Sequence, residues 1–328
     1  MSAGFLHLLW VLSYHNNIIF SLISMIKVFG HQSPDTDATG SAIVWAWYLS
    51  EKTGKEATPY VLGTLNKETA FVLSRWNVEA PTLLESVAAG DDVVIVDTNN
   101  PQELFSNINE ANILEIIDHH KLIGGLETPG PVTITMKPLA STISVMYGLM
   151  GDIELPEDIA GIMLSCILSD TLQFRSPTTT PHDKDIAEKL AVKLGVDIES
   201  YASALFAAKS DISDYTGSGL VKMDSKKLEI NGVNLRVSVI ETTNPASVLE
   251  RKAEIVAAIE EIKAAEGDVD EVLFFAVDIL NEEATVFTYN DTVKQIIEKS
   301  FNVTVESDTE VLPGVVSRKK QIVPNLKV

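Results

Sequence analysis

From residue 26 onward the chain alternates short apolar runs with stretches whose apolar positions recur every three or four residues. "IKVF" at 26–29, "ATPYVLG" at 57–63, "DDVVIVD" at 91–97, "ANILEIID" at 111–118 and "PVTITMK" at 131–137 read as strands. Residues 37–54 predict a helix with Ala42, Trp45, Ala46 and Leu49 at helical spacing and Gly54 at its end. Further helices are expected over 66–76, 141–151, 155–170 and 180–195. The runs at 91–97 and 111–118 are apolar enough to be covered on both faces of a parallel sheet. This alternation predicts a doubly wound, mainly parallel α/β domain, with ligands beyond the carboxyl ends of its strands.

The pattern changes after about residue 208. Residues 209–217 read as a linker, and "LVKMDSKKLEINGVNLRVSVIETT" as a strand-rich stretch with an Asn-Gly turn at 231–232. A helix over 245–267, strands over 271–280 and 283–289, and a helix over 292–299 follow. The expectation is therefore a first domain over 25–208 and a smaller α+β domain over 218–328, with the active site in the cleft between them. Residues 1–24 are mostly apolar, but they contain no lysine or arginine and are interrupted by His15, Asn16 and Asn17. They read as an over-long gene start or a disordered extension ahead of Met25, not as a membrane anchor.

Composition narrows the function classes. A hydrophobic fraction of 45% with 22% charged residues excludes a disordered chain, and a net charge of −21 argues against a general nucleic-acid or anionic-membrane binder. A polyanionic substrate would have to meet local positive charge, from metal ions or a few clustered bases. Cys166 is the only cysteine, so no intrachain disulfide can form, and its apolar surroundings read as core.

Four stretches place metal-binding atoms just past an apolar run. They are His31, Asp35 and Asp37 in "GHQSPDTD", Asp97, the "DHH" of Asp118, His119 and His120, and Asp170 after "GIMLSCILS". Any one of these aspartates could be only a helix cap or a turn residue, and His31 alone could be an ordinary polar residue. Together they put carboxylates and imidazoles, with no cysteine beside them, at one predicted sheet edge. That donor set suits Mn²⁺, Mg²⁺, Fe²⁺, Co²⁺ or Zn²⁺, and it exceeds the needs of one ion. Two ions sharing a bridging carboxylate would neutralise the clustered acids. Near the end of the chain, "SRKK" groups Arg318, Lys319 and Lys320, and "DSKKL" holds Lys226 and Lys227. These could be solvated charges or phosphate ligands. A metal pair beside such bases describes a hydrolase of phosphate compounds, with one of the adjacent histidines as ligand and the other facing the substrate.

"FGHQSPDTDATGSAI", "VIVDTNN", "EIIDHHK", "ILSDTLQFRSPTTT" and "GVVSRKKQIVP", in this order over residues 26 to 324, resemble the family II inorganic pyrophosphatases of the DHH phosphoesterase superfamily. The resemblance implies hydrolysis of pyrophosphate to two orthophosphates by two Mn²⁺ or Co²⁺ ions, with further Mg²⁺ or Mn²⁺ arriving with the substrate. It makes His31 and Asp35 ligands of one ion, Asp37, His119 and Asp170 ligands of the other, and Asp97 the bridge. His120, Lys226, Arg318 and Lys319 would bind the phosphates, His120 near the leaving group, with Lys227 a competitor for the role of Lys226. It also implies a cytoplasmic homodimer; the acidic composition predicts that it binds neither nucleic acid nor membrane, and the short interval from Asp97 to Asp170 predicts a plain form without a nucleotide-binding insert. The alternative is a superfamily phosphoesterase acting on short oligonucleotides or polyphosphate.

Overall fold

The computed structural model describes residues 25–328, so the reading of residues 1–24 lies outside the described residues. The chain divides into two compact units between Glu199 and Ser200.

The first unit is built on a parallel sheet of β1 (Ile26–Phe29), β2 (Ala57–Val61), β3 (Thr82–Leu83), β4 (Asp92–Val96), β5 (Asn112–Asp118) and β6 (Thr133–Met136). The strand order is β3-β2-β1-β4-β5-β6, and every pairing is parallel. The order reverses between β1 and β4, and at such a switch point the connections leave in opposite directions and open a crevice at the carboxyl ends. The helices are α1 (Thr36–Thr53), α2 (Lys67–Arg75), α3 (Thr142–Met150), α4 (Glu157–Asp170), α5 (Pro181–Leu194) and α6 (Ile198–Lys209), the last running across the division.

Local chemistry sets the helix ends. Asp35 caps α1 through Ala38 N, and Gly54 closes it at φ +70°. Asn66 caps α2, Ser141 caps α3, and Thr180 with Asp183 forms a capping box on α5. Gly30 lets β1 approach α1, because a Cβ there would lie 2.8 Å from Ala38 Cβ. Cys166 sits fully buried where α4 crosses Gly40 of α1, as its apolar surroundings suggested.

The second unit carries a mixed sheet of β7 (Ser225–Ile230), β8 (Val233–Thr242), β9 (Glu271–Asp278), β10 (Glu283–Phe287) and β11 (Thr309–Pro313), in the order β11-β10-β9-β8-β7. Only β8 and β9 pair in parallel. The side-chain period of two splits β9 between two cores. Leu273, Phe275 and Val277 pack with Val293, Ile296 and Ile297 of α10 (Asp291–Phe301). Phe274 and Ala276 face Leu220 and Val221 of α7 (Gly217–Met223), Val248 of α8 (Pro245–Glu250), and Ile255, Ile259 and Ile262 of α9 (Lys252–Glu266).

Three expectations change. Residues 217–223, read as the end of a linker and the start of a strand-rich stretch, form α7, because Thr216 caps that turn and its apolar side chains reach α9. The helix expected over 245–267 is two helices that meet at Arg251. The basic triplet, which the sequence places between two β-rich stretches after Gly314, follows β11 but lies in a π-helical turn over Arg318–Ile322 and leads into a 3₁₀ turn. The Asn-Gly turn forms as read, with φ +51° at Asn231 and +82° at Gly232. No helix among the described residues is long and apolar enough to cross a membrane.

Candidate metal centre

The carboxyl ends of β1, β4 and β5 are neighbours, so the chain leaving each delivers its polar residues to one place. His31 follows β1, Asp97 follows β4, and His119 and His120 follow β5. Asp35 and Asp37 come from the start of α1 and Asp170 from the end of α4. Asp35 is the extended N-cap residue ahead of α1 whereas Asp37 lies in its first turn, so the two side chains do not share a direction. Asp35 accordingly belongs with His31 and Asp97, and Asp37 with His119 and Asp170. Asp97, His119 and His120 form a third, overlapping group, and within each group the possible ligand atoms lie within 4.8 Å of one another.

Asp97 is the shared member. Its Oδ2 is 3.5 Å from His31 Nε2, and its Oδ1 is 3.3 Å from His119 Nε2. The residue adopts φ +59°, a left-handed conformation that aspartate tolerates better than most residues and that is concentrated at functional turns. Elsewhere in the cluster, His31 Nε2 is 3.8 Å from Asp35 Oδ1, and His119 Nε2 is 4.0 Å from Asp170 Oδ2.

A layer of hydrogen bonds orients these groups. His119 Nδ1 donates to Leu139 O at 3.0 Å, leaving Nε2 for the cluster. Asp37 accepts from Ser141 Oγ and from Thr142 N, both at 2.7 Å, and Thr142 Oγ1 donates to Asp97 Oδ1 at 2.9 Å. Fully buried Asp118 accepts from His120 Nδ1 at 2.9 Å, from the backbone N–H groups of both histidines, and from Asn99 Nδ2. Asp118 therefore holds His120 in place, with His120 Nε2 pointing away from that bond.

The electrostatics are those of a site built for cations. Burial and the charge of Asp97 push Asp37 up to about 7, and burial with the charges of Asp37 and Asp97 pushes Asp170 well above the carboxylate range. Burial would also raise Asp97, but hydrogen bonds from His119 and His31 outweigh it and hold its carboxyl low. Burial opposes charge on His31 and His119 as well, yet Asp97 and its acidic neighbours raise both imidazoles to about 9. Protons thus do part of the work of neutralising the acids. Divalent ions bound by hard oxygen and imidazole donors would do it better, and the donor set fits hard or borderline ions, manganese among them. A cavity of about 430 Å³ in the first unit opens beside His31 and His120, with Asn99, Asn100, Gln102 and Lys121 among its walls.

The bases singled out in the sequence all lie in the second unit. Arg318 Nη1 is 2.8 Å from Asp224 Oδ1, a charge contact without hydrogen-bond alignment. Lys227 is engaged by Glu266 at 3.0 Å and Asp268 at 2.6 Å, whereas Lys226 points to the other face of β7 and makes no ion pair among the described residues. Lys319 is exposed on the π-helical turn. Asn99, Ser141, Thr142 and Asp183 were given no role from sequence. Ser141 ahead of an apolar run was a readable helix cap, but nothing in its spacing pointed to Asp37, 104 residues away.

Residues 25–167 match the DHH family, N-terminal domain, and residues 203–328 match the DHHA2 domain. Proteins from two strains of Streptococcus thermophilus, described as probable manganese-dependent inorganic pyrophosphatases, are each 39% identical over 308 residues, 93% of this chain and 98% of theirs. Among solved structures, a Methanococcus jannaschii protein assigned to the family II inorganic pyrophosphatases is 37% identical, with a TM-score of 0.59 over 92% of this chain and 98% of that one.

Proposed function

The chain belongs to the family of manganese-dependent inorganic pyrophosphatases, and on that premise we propose that it hydrolyses pyrophosphate to two orthophosphates. The observation that carries the reading is Asp97, which turns one carboxylate oxygen to His31 and the other to His119. In this reading two Mn²⁺ or Co²⁺ ions would be held, one by His31, Asp35 and Asp97 and one by Asp37, His119, Asp170 and Asp97. When bound, the ions supply positive charge at the phosphoryl oxygens and make water acidic enough to act as a nucleophile near neutral pH.

The chain's own residues do the rest. Asp97 and Asp37 keep their positions through Thr142 and Ser141, so the ligand set needs little rearrangement to bind. His120, fixed at Nδ1 by Asp118, carries a proton on Nε2 to the oxygen of the departing phosphate as the P–O bond breaks. Arg318, Lys319 and Lys226 hold nonbridging oxygens, Arg318 exchanging its contact with Asp224 for the more highly charged phosphate. A π-helical turn under Arg318 and Lys319 supports this role, since such turns are frequent at functional sites. A further Mg²⁺ or Mn²⁺ accompanies the substrate, and the protein is a cytoplasmic homodimer; these parts rest on the resemblance alone.

The test is orthophosphate release from pyrophosphate, from a dinucleotide and from long-chain polyphosphate, each with Mn²⁺, Co²⁺ and Mg²⁺. Pyrophosphate with Mn²⁺ or Co²⁺ should turn over fastest. Faster turnover of the dinucleotide or the polyphosphate would establish the alternative phosphoesterase activity instead.

A further inference from the structure

We infer that residues 139–142 are positioning residues of the metal centre, and that the Thr142 hydroxyl acts on one of the two ions only; the inference rests on the two-ion reading above. This short segment touches three proposed ligands. The Leu139 carbonyl accepts the Nδ1–H of His119 at 3.0 Å. Ser141 Oγ and Thr142 N donate to the two oxygens of Asp37 at 2.7 Å each. Thr142 Oγ1 donates to Asp97 Oδ1 at 2.9 Å.

The segment is itself held. Ala140 N lies 3.2 Å from each carboxylate oxygen of Asp183, and Asp183 is the fully buried third residue of the α5 capping box. Ser141 also caps Ile143 N at 3.1 Å, so its hydroxyl cannot turn away from Asp37 without loosening the start of α3. Ser141 and Thr142 have no solvent exposure, and water cannot replace a donor deleted there.

The selectivity follows from which oxygen Thr142 reaches. Asp97 Oδ1 faces His119, and Oδ2 faces His31. Thr142 therefore bears on the oxygen that serves the Asp37, His119 and Asp170 group, the same group that Leu139 and Ser141 orient. One ion has a fixed outer layer supplied by a single segment. The other would be held by His31, Asp97 Oδ2 and Asp35, whose side chain is 49% exposed.

The experiment is a titration of chelator-stripped protein with Mn²⁺ alone, followed by calorimetry and by the loss of the free-ion paramagnetic resonance signal. The natural protein should bind two ions per chain. Thr142→Val, close to isosteric, should weaken one dissociation constant by about tenfold to a hundredfold and leave the other unchanged. Thr142→Ser, which keeps the hydroxyl, should restore it. If Thr142→Val lacks the native near-ultraviolet circular dichroism, Ser141→Ala takes its place with the same expected result. Natural protein that takes up fewer than two ions overturns the two-ion reading, and this inference with it. Two ions in the natural protein, with both constants or neither altered in the variant, overturns only the role given to the segment.

Discussion

Metal affinity should rise with pH, and by a different proton count at each of the two ligand groups. In the metal-free fold His31 and His119 each stand at about 9, and only the deprotonated ring can take an ion. At pH 7 the gap of about two pH units is roughly 2.7 kcal/mol for each ring, or about a hundredfold in apparent affinity. From pH 7 to pH 8 the dissociation constant of each ion should therefore fall about tenfold on account of its imidazole alone. The group containing His119 carries more protons, because burial and the charge of Asp97 leave Asp37 at about 7, and Asp170 is raised as well. Its ion should displace more than one proton at pH 6.5, and the ion on His31 close to one.

Stability of the stripped protein should move the opposite way. Both imidazoles have folded values above their ordinary 6.5, so their stabilising contribution is complete below pH 6.5 and is lost as pH rises through about 9. Asp37, raised from 3.8 to about 7, adds a loss of the same sign by pH 7. The difference in Tm between Mn²⁺-loaded and stripped protein should therefore widen from pH 6.5 to pH 9. Calorimetric Mn²⁺ titrations in two buffers of different ionisation enthalpy count the protons directly. Affinity that does not change with pH, or equal proton counts at the two sites, would refute the reasoning.

Asp97→Asn should weaken both ions, by more than the roughly hundredfold ceiling for an outer-layer contact, and equilibrium dialysis against Mn²⁺ would show an unequal effect if Asp97 belonged to one group only. Arg318→Ala should raise KM for pyrophosphate by the loss of a charged hydrogen bond, about 1.5–3 kcal/mol, while the manganese content stays at the natural level. Unchanged KM would remove Arg318 from the substrate site. Gly40→Ala would place a Cβ 2.2 Å from Cys166 Sγ and 2.9 Å from Ile162 Cγ2, so the fold should lose about 1–3 kcal/mol. Adding Cys166→Ala should recover most of that in a denaturant melt, and a double variant no better than the single one would mean that the crowding lies elsewhere.

The strands and most helices were legible because their causes are local. Asn66, Thr180, Gly54 and Gly195 act on the turn beside them, and the apolar runs of β4 and β5 reflect a sheet covered on both faces. The small helix at Gly217–Met223 and the two-residue β3 were not legible, because each is too short for a period and is held by its neighbours.

The candidate site divides in the same way. Ligand type was set by the sequence itself, since aspartate and histidine past apolar runs, with no cysteine nearby, can only make a hard or borderline site. Which atoms meet was decided by tertiary structure. The reversal of strand order between β1 and β4 brings His31 beside Asp97, and the left-handed turn at Asp97 accompanies the placing of one oxygen on each side. Thr142 reaches Asp97 across 45 residues of chain, and Ser141 reaches Asp37 across 104. A sequence records which groups can bond, but a directional bond between distant residues exists only once packing has fixed both ends.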